Sequence, residues 1–272
     1  MAVAAPRAPR FLTCHQEFPM KMHILPGGRV RMRRAVFIPD ADRSEMIDLP
    51  VSCVLLRHPQ GNVLFDTGCH PDVATDPQAR WGALTKFMTP VMSREDNVVS
   101  GLKAIGLGPD DIDVVICSHL HTDHCGCNAF FRQATMFVHI SEIEAANAPG
   151  AEKMAYLAAD WDHPMPMQTI SGQTDVMGDG RIVLVPLPGH TPGMTGALVA
   201  LDRSGRFLLA SDALSVRENL DRDIIPRNMV DADASARSFD EIRRLERAGY
   251  QVICGHDAPQ WQRLRKGAEA YE

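Results

Sequence analysis

The sequence predicts an α/β fold, and three observations predict it. Short apolar runs of strand length recur along the 272 residues, separated by turn-forming residues. Longer stretches carry apolar residues at helical spacing instead. Four of the apolar runs end close to a residue able to bind a metal: the run 113–117 before His119, 181–186 before His190, 207–210 before Asp212, and 250–254 before His256. Strand ends gathered at one edge of a sheet give a site rigid supports, and α/β folds place their chemistry at such edges.

Taken in order, residues 21–26 read as a first strand that Gly27-Gly28 turns into 29–32, with Arg29, Arg31, Arg33 and Arg34 on a solvated face. The run 49–56 forms a hairpin with 63–65 across His58-Pro59-Gln60-Gly61-Asn62. That hairpin ends in Asp66-Thr67-Gly68, where Asp66 is expected to turn the chain and to orient a metal ligand from behind. Residues 69–89 have no period and carry Trp81, Phe87 and Met88, so these side chains either plug the core or face a ligand. A helix is predicted over 93–105, with Ser93 as N-cap, Asp96 at the capping-box offset, and Gly106 at its end. Beyond a strand at 135–139, Ser141 opens a second helix through a capping box, and a third covers 152–159. Strands at 181–186 and 207–210 precede a helix over 234–248, with Phe239, Ile242 and Leu245 on one side. The last strand is 250–254, and the tail 259–270 reads as helical.

Composition bounds the function. The chain is 45% hydrophobic and 23% charged, ordinary globular usage, and it is long enough to bury a large core. A net charge of −6 argues against nucleic acid or an anionic membrane as partner, and no apolar run approaches the roughly 18 residues of a membrane span. Residues 1–20 read as a flexible arm without an apolar signal region, leaving one domain over 21–272. Seven cysteines, odd in number and partly inside predicted strands (Cys53, Cys117, Cys254), favour a reducing, cytoplasmic setting. The oligomeric state is left open, and a homodimer is compatible with it.

The stretch 118–128, SHLHTDHCGCN, holds three imidazoles and a carboxylate within six residues. In an extended segment His119 and His121 point the same way and can grip one cation together. Asp123 and His124 fall where the chain turns and can face a second cation. Nitrogen and oxygen donors without thiolate suit two zinc ions, with Fe²⁺, Mn²⁺ or Co²⁺ as substitutes. His190, between Pro188-Gly189 and Thr191-Pro192-Gly193, is held rigidly at a strand end. Asp212 alone would read as a cap and His256 alone as a core histidine; their shared placement joins them to the site. The other histidines, His15, His23, His58, His70, His139 and His163, lack it.

The segments LPVSCVLL, NVLFDTG, SHLHTDHCGCN, LPGHTPG, SDALSVREN and CGHD, spread over about residues 21–256, resemble the metallo-β-lactamase superfamily, and within it the N-acyl-homoserine lactonases. The resemblance implies an αββα sandwich, two mixed sheets face to face with helices outside. It implies one metal on His119, His121 and His190, a second on Asp123, His124 and His256, and Asp212 bridging them. A hydroxide held between the ions would then open a small-molecule lactone, with Asp123 delivering the proton to the leaving alkoxide. Two positions depart from the pattern. The tyrosine usual three residues after the bridging aspartate, which helps orient the carbonyl, is here Ser215, assigned that catalytic place. The aromatic residue often found within the metal motif is Thr122, which joins Trp81, Phe87 and Met88 as an expected substrate contact. Other readings stay open: a pyridoxolactonase or γ-butyrolactonase, a thioester hydrolase of the glyoxalase II type, for whose basic C-terminal domain little chain follows His256, or a metal sensor or storage module with a coordinatively closed site.

Overall fold

The computed structural model describes residues 19–272, so the predicted arm lies outside the described residues except for Pro19 and Met20, and Met20 is fully buried. The first sheet comprises β1 (Lys21–Arg33), β2 (Met46–His58), β3 (Gly61–Phe65), β4 (Thr89–Pro90), β5 (Val114–Ile116), β6 (Thr135–His139) and β7 (Met167–Ile170), in the order β4-β1-β2-β3-β5-β6-β7. The second comprises β8 (Thr174–Asp175), β9 (Ile182–Pro186), β10 (Thr195–Leu201), β11 (Gly205–Ser211) and β12 (Tyr250–Cys254), in the order β12-β11-β10-β9-β8. Both are mixed: β3, β5, β6 and β7 run parallel, as do β11 and β12, while the remaining pairs are antiparallel.

The alternation of side chains along the strands builds the layers. Ile24, Val54, Leu56, Val63, Phe65 and Ile116 from the first sheet share one buried cluster with Leu184, Ala197, Val199, Phe207 and Leu209 from the second, so the sheets face each other. Their neighbours Leu25, Cys53, Leu55, Leu64 and Val115 point the other way, against Val98 and Leu102 of a helix. On the far side Leu208, Ala210 and Val252 meet Phe239, Ile242 and Leu245. The result is the predicted αββα sandwich.

Among the described residues, eight α-helices decorate it: α1 (Pro77–Trp81), α2 (Val98–Ala104), α3 (Thr122–Cys125), α4 (Ile140–Ala146), α5 (Ala158–Trp161), α6 (Arg217–Asp221), α7 (Ala232–Arg247) and α8 (Ala258–Arg263). None is long and apolar enough to cross a membrane.

Several local expectations fail for physical reasons. Gly27-Gly28 is not a turn but an irregularity inside β1, where the register with β2 shifts between Pro26 and Arg29 and pairing resumes. The helix expected from Ser93 starts later: Asn97 Oδ1 accepts from Ser100 N at 3.0 Å, while Asp96 only closes a turn by accepting from Ser93 N at 2.9 Å. The predicted helix over 152–159 is a 3₁₀ turn, Ala151–Met154, followed by α5. The tail is helical only through α8; the chain then extends, and Tyr271 exchanges two 2.9 Å backbone hydrogen bonds with Met22. The strand β10 was not predicted at all. It is buried nearly throughout, and its Gly196, Ala197 and Ala200 give no strand signal.

Candidate metal centre

The strand ends deliver the candidate ligands to one place. Beyond β5 the chain stays extended through His121 (φ −73°, ψ 148°) and then winds into α3, which carries Asp123 and His124. β9 leads to His190, β11 to Asp212, and β12 to His256. Ser211, the last residue of β11, sits at φ 45°, ψ −138°, a sparsely populated region for a non-glycine residue, where the pairing with β12 also shifts. Gly255 makes room for Asp212: a Cβ there would lie 2.4 Å from Asp212 Oδ1.

The ligand atoms of His119, His121 and His190 all lie within 4.8 Å of one another, and so do those of Asp123, His124 and His256. Asp212 stands between the groups. Its Oδ2 is 3.4 Å from His190 Nε2, while Oδ1 is 2.9 Å from His256 Nε2 and 3.6 Å from His124 Nε2. Within the first group His190 Nε2 faces His121 Nδ1 at 3.1 Å, and within the second His124 Nε2 faces His256 Nε2 at 3.3 Å. His119 Nε2 is buried without a hydrogen-bond partner. Lone pairs converging in this way, those of His119 Nε2 and Asp212 Oδ1 left unanswered, fit a cation in each group.

The opposite edges of three rings are held. Asp66 Oδ2 accepts from Ser118 Oγ at 2.8 Å, and Ser118 Oγ in turn takes the Nδ1 proton of His119 at 3.0 Å. The same carboxylate oxygen accepts from His124 Nδ1 at 2.9 Å, and Pro50 O accepts from His256 Nδ1 at 2.9 Å. Each acceptor fixes a tautomer and leaves Nε2 free as a ligand. Asp66 thus lies behind His124 and, through Ser118, behind His119. It adopts φ 58° and also accepts from Ser118 N at 2.7 Å. Ser118 and Ser211, whose hydroxyls lie 2.9 Å apart, belong to this support and were missed. Adjacency to His119 and Asp212 is their only sequence signal.

The groups differ electrostatically. Burial, then the neighbouring imidazoles, hold His119 and His121 well below the ordinary imidazole range, and burial also lowers His190 against the pull of Asp212. Burial opposes charge on His124 too, but the carboxylates of Asp123, Asp212 and Asp66 outweigh it and push it up to about 10. His256 is raised likewise, burial being overcome by Asp212. Burial resists ionisation of Asp212, yet His256, His124 and His190 hold it well below the carboxylate range.

The expected substrate contacts do not form one wall. Trp81 and Met88 are buried in a cluster with Val30, Phe37 and Leu49, while Phe87 is 71% exposed. Thr122 is fully buried and donates to Asp160, a buried carboxylate that also pairs with Arg80. Ser215 is fully buried as well; its hydroxyl has no partner, and its carbonyl accepts from His256 N at 2.7 Å.

The profile described as the metallo-beta-lactamase superfamily matches residues 46–256. The N-acyl homoserine lactonase AttM of Azorhizobium caulinodans is 32% identical over 260 residues, 93% of this chain and 99% of the relative. The protein of the same name from Agrobacterium fabrum is 30% identical over 259 residues, 93% of this chain and 98% of its own. A solved N-acyl homoserine lactone hydrolase, with the product N-hexanoyl-L-homoserine bound at its catalytic metal center, superposes with a TM-score of 0.84 at 27% identity, covering 93% of this chain and 99% of that one.

Proposed function

This chain belongs to the metallo-beta-lactamase superfamily, and from that premise we propose that residues 21–272 form one metal-dependent hydrolase domain that opens lactone rings, with N-acyl homoserine lactones as substrates. The observation that carries the reading is the pair of three-donor groups with Asp212 between them. The relatives' named activity and the product bound at a catalytic metal center in the structural neighbour support it.

His119, His121 and His190 would hold one ion, Asp123, His124 and His256 the other, and Asp212 would touch both. Nitrogen and oxygen donors without thiolate favour zinc. Ions held there would bring the pKa of a bound water near neutrality and polarise the lactone carbonyl. The chain's own groups do the rest. Asp66 and the carbonyl of Pro50 keep the ligand tautomers fixed. Asp212 offsets the repulsion between two cations. Asp123, 8% exposed against 4% for Asp212, is the donor-set carboxylate more accessible to a substrate and would pass a proton to the ring oxygen as the C–O bond breaks.

The test is elemental analysis of active protein together with ring opening of a short-chain and a long-chain acyl-homoserine lactone, a simple γ-lactone and a thioester, followed by pH indicator or thiol release. About two ions per chain and turnover of homoserine lactones are expected. Thioester turnover alone would replace this reading by a thioesterase, and γ-lactone turnover alone would keep the chemistry and remove the acyl-homoserine substrate.

A further inference from the structure

Glu142 lies inside the stretch where Ser141 and Glu144 read as a capping box, but the helix α4 is capped by His139, whose Nδ1 accepts from Ser141 N at 3.2 Å. Glu142 instead turns inward and is fully buried. Its Oε1 accepts from Leu120 N at 3.0 Å, and its Oε2 accepts from Gly193 N at 3.0 Å. Leu120 lies between His119 and His121, and Gly193 closes the turn that presents His190. One carboxylate therefore bonds the backbones of both loops that supply the all-imidazole group.

Two further features show that this contact is built. Gly193 lies so close that a Cβ there would be 2.5 Å from Glu142 N and 2.6 Å from its Cβ. Burial pushes the Glu142 carboxyl up, and the Leu120 and Gly193 amides work against it, while the nearby Thr191 and Tyr156 hydroxyls are buried without a hydrogen-bond partner of their own. Tyr156 in turn packs edge-on against His121, with ring centroids 4.8 Å apart. A buried carboxylate is costly unless its oxygens are answered. Here the partners are main-chain groups of the two ligand loops, so the bonds that satisfy Glu142 also fix the distance between those loops.

We propose that Glu142 is a positioning residue that sets the spacing of His119, His121 and His190 by clamping their two loops together. This role rests on the reading of those imidazoles as a metal site. Thr195 N still donates to Ser118 O at 2.9 Å, so the loops stay joined at their bases when one acceptor is lost. Glu142→Gln keeps the shape but turns one oxygen into a donor, which cannot accept from an N–H.

The test titrates chelator-stripped wild type and E142Q with Co²⁺ alone, resolving the two sites by visible absorbance and calorimetry. Wild type is expected to take up two ions. In E142Q one affinity should stay at the wild-type value and the other fall about 10- to 100-fold, the usual effect of losing a ligand-orienting partner. Two unchanged affinities, or two that fall equally as general loosening would give, overturn the proposal. Should E142Q be insoluble, hydrogen exchange on wild type decides: the Leu120 and Gly193 amides must exchange slowly, and rapid exchange of either overturns it. Wild type that binds two ions yet opens no lactone would remove the proposed activity and leave the clamp to be judged on the titration. Wild type that binds none would remove both.

Discussion

The all-imidazole group and the carboxylate-containing group stand side by side, yet they manage charge in opposite ways. His119, His121 and His190 are pushed toward the neutral form by burial and then by neighbouring imidazoles, His124 of the other group among them. His124 and His256 are drawn toward the charged form by Asp123, Asp212 and Asp66. The first group is thus an array of waiting lone pairs, braced through backbone amides. The carboxylates around the second group bias it toward positive charge. A cation bound there would compete with protons more than one bound at the first group.

The largest break in this comparison comes at the residue common to both groups. Asp212→Ala removes the oxygens that face His190 on one side and His256 on the other. Metal content should fall at both groups and turnover by several orders of magnitude. Normal metal content with near-normal rate would reduce Asp212 to a strand-end cap.

Asp66→Asn separates the groups. It takes the anionic acceptor from His124 Nδ1, while the partner of His256 Nδ1, a carbonyl, is untouched. Affinity of the second group should drop about 10- to 100-fold. Asp66 reaches the first group only indirectly, through the Ser118 hydroxyl, so the effect there should be smaller. An equal loss at both groups in the Co²⁺ titration would count against the division.

What the sequence made legible follows from how specific each demand is. Metal chemistry accepts few residue types, and His119, His121, Asp123 and His124 offer them within six residues, while His190, Asp212 and His256 are marked by the strands that precede them. Glu142 leaves no such mark. Its partners lie 22 and 51 residues away and are backbone amides, which any residue except proline provides, and its neighbours mimic an ordinary helix start. The fate of 69–89 was equally hidden. Whether Trp81 faces a ligand or the core depends on Val30, Phe37 and Leu49, brought to it from elsewhere in the chain. The strand β10 escaped because burial by small residues lacks the alternation that reveals a half-exposed strand.

The electrostatic contrast should also appear as pH dependence in the metal-stripped protein. His124 is raised to about 10, so the stability it contributes is fully present below the ordinary imidazole value of about 6.5 and is lost as pH climbs through 10. His119 and His121 are depressed, so their cost appears on the other side: unfolding lets them take up protons, and stability falls as pH drops below about 6.5. Denaturant melts of stripped protein should thus decline on both sides of that pH, and Asp66→Asn should flatten the alkaline limb. Stability that rises steadily from pH 6.5 to 10 would contradict the raised His124.

The smallest effect is expected at Ser215, where the structure alters what the sequence suggested. A serine in place of a carbonyl-orienting tyrosine invites the idea of a shorter donor, but this hydroxyl is wholly buried and bonded to nothing. An unanswered buried hydroxyl costs stability, about 1–3 kcal/mol when stranded from water, so Ser215→Ala should leave the melting temperature unchanged or raise it. The structural duty at this position belongs to the backbone, since His256 N donates to the Ser215 carbonyl at 2.7 Å, and alanine keeps that bond. Ser215→Tyr is the demanding variant: a ring has no free room at a fully buried site, so a stability loss is expected before any gain in lactone binding. A carbonyl-orienting donor that acts in the transition state is worth about 10²- to 10³-fold in kcat. A loss of that size in Ser215→Ala, at full metal content, would show that the hydroxyl swings to the substrate during turnover. An unchanged rate would give the hydroxyl no part in turnover and confine Ser215 to supporting His256.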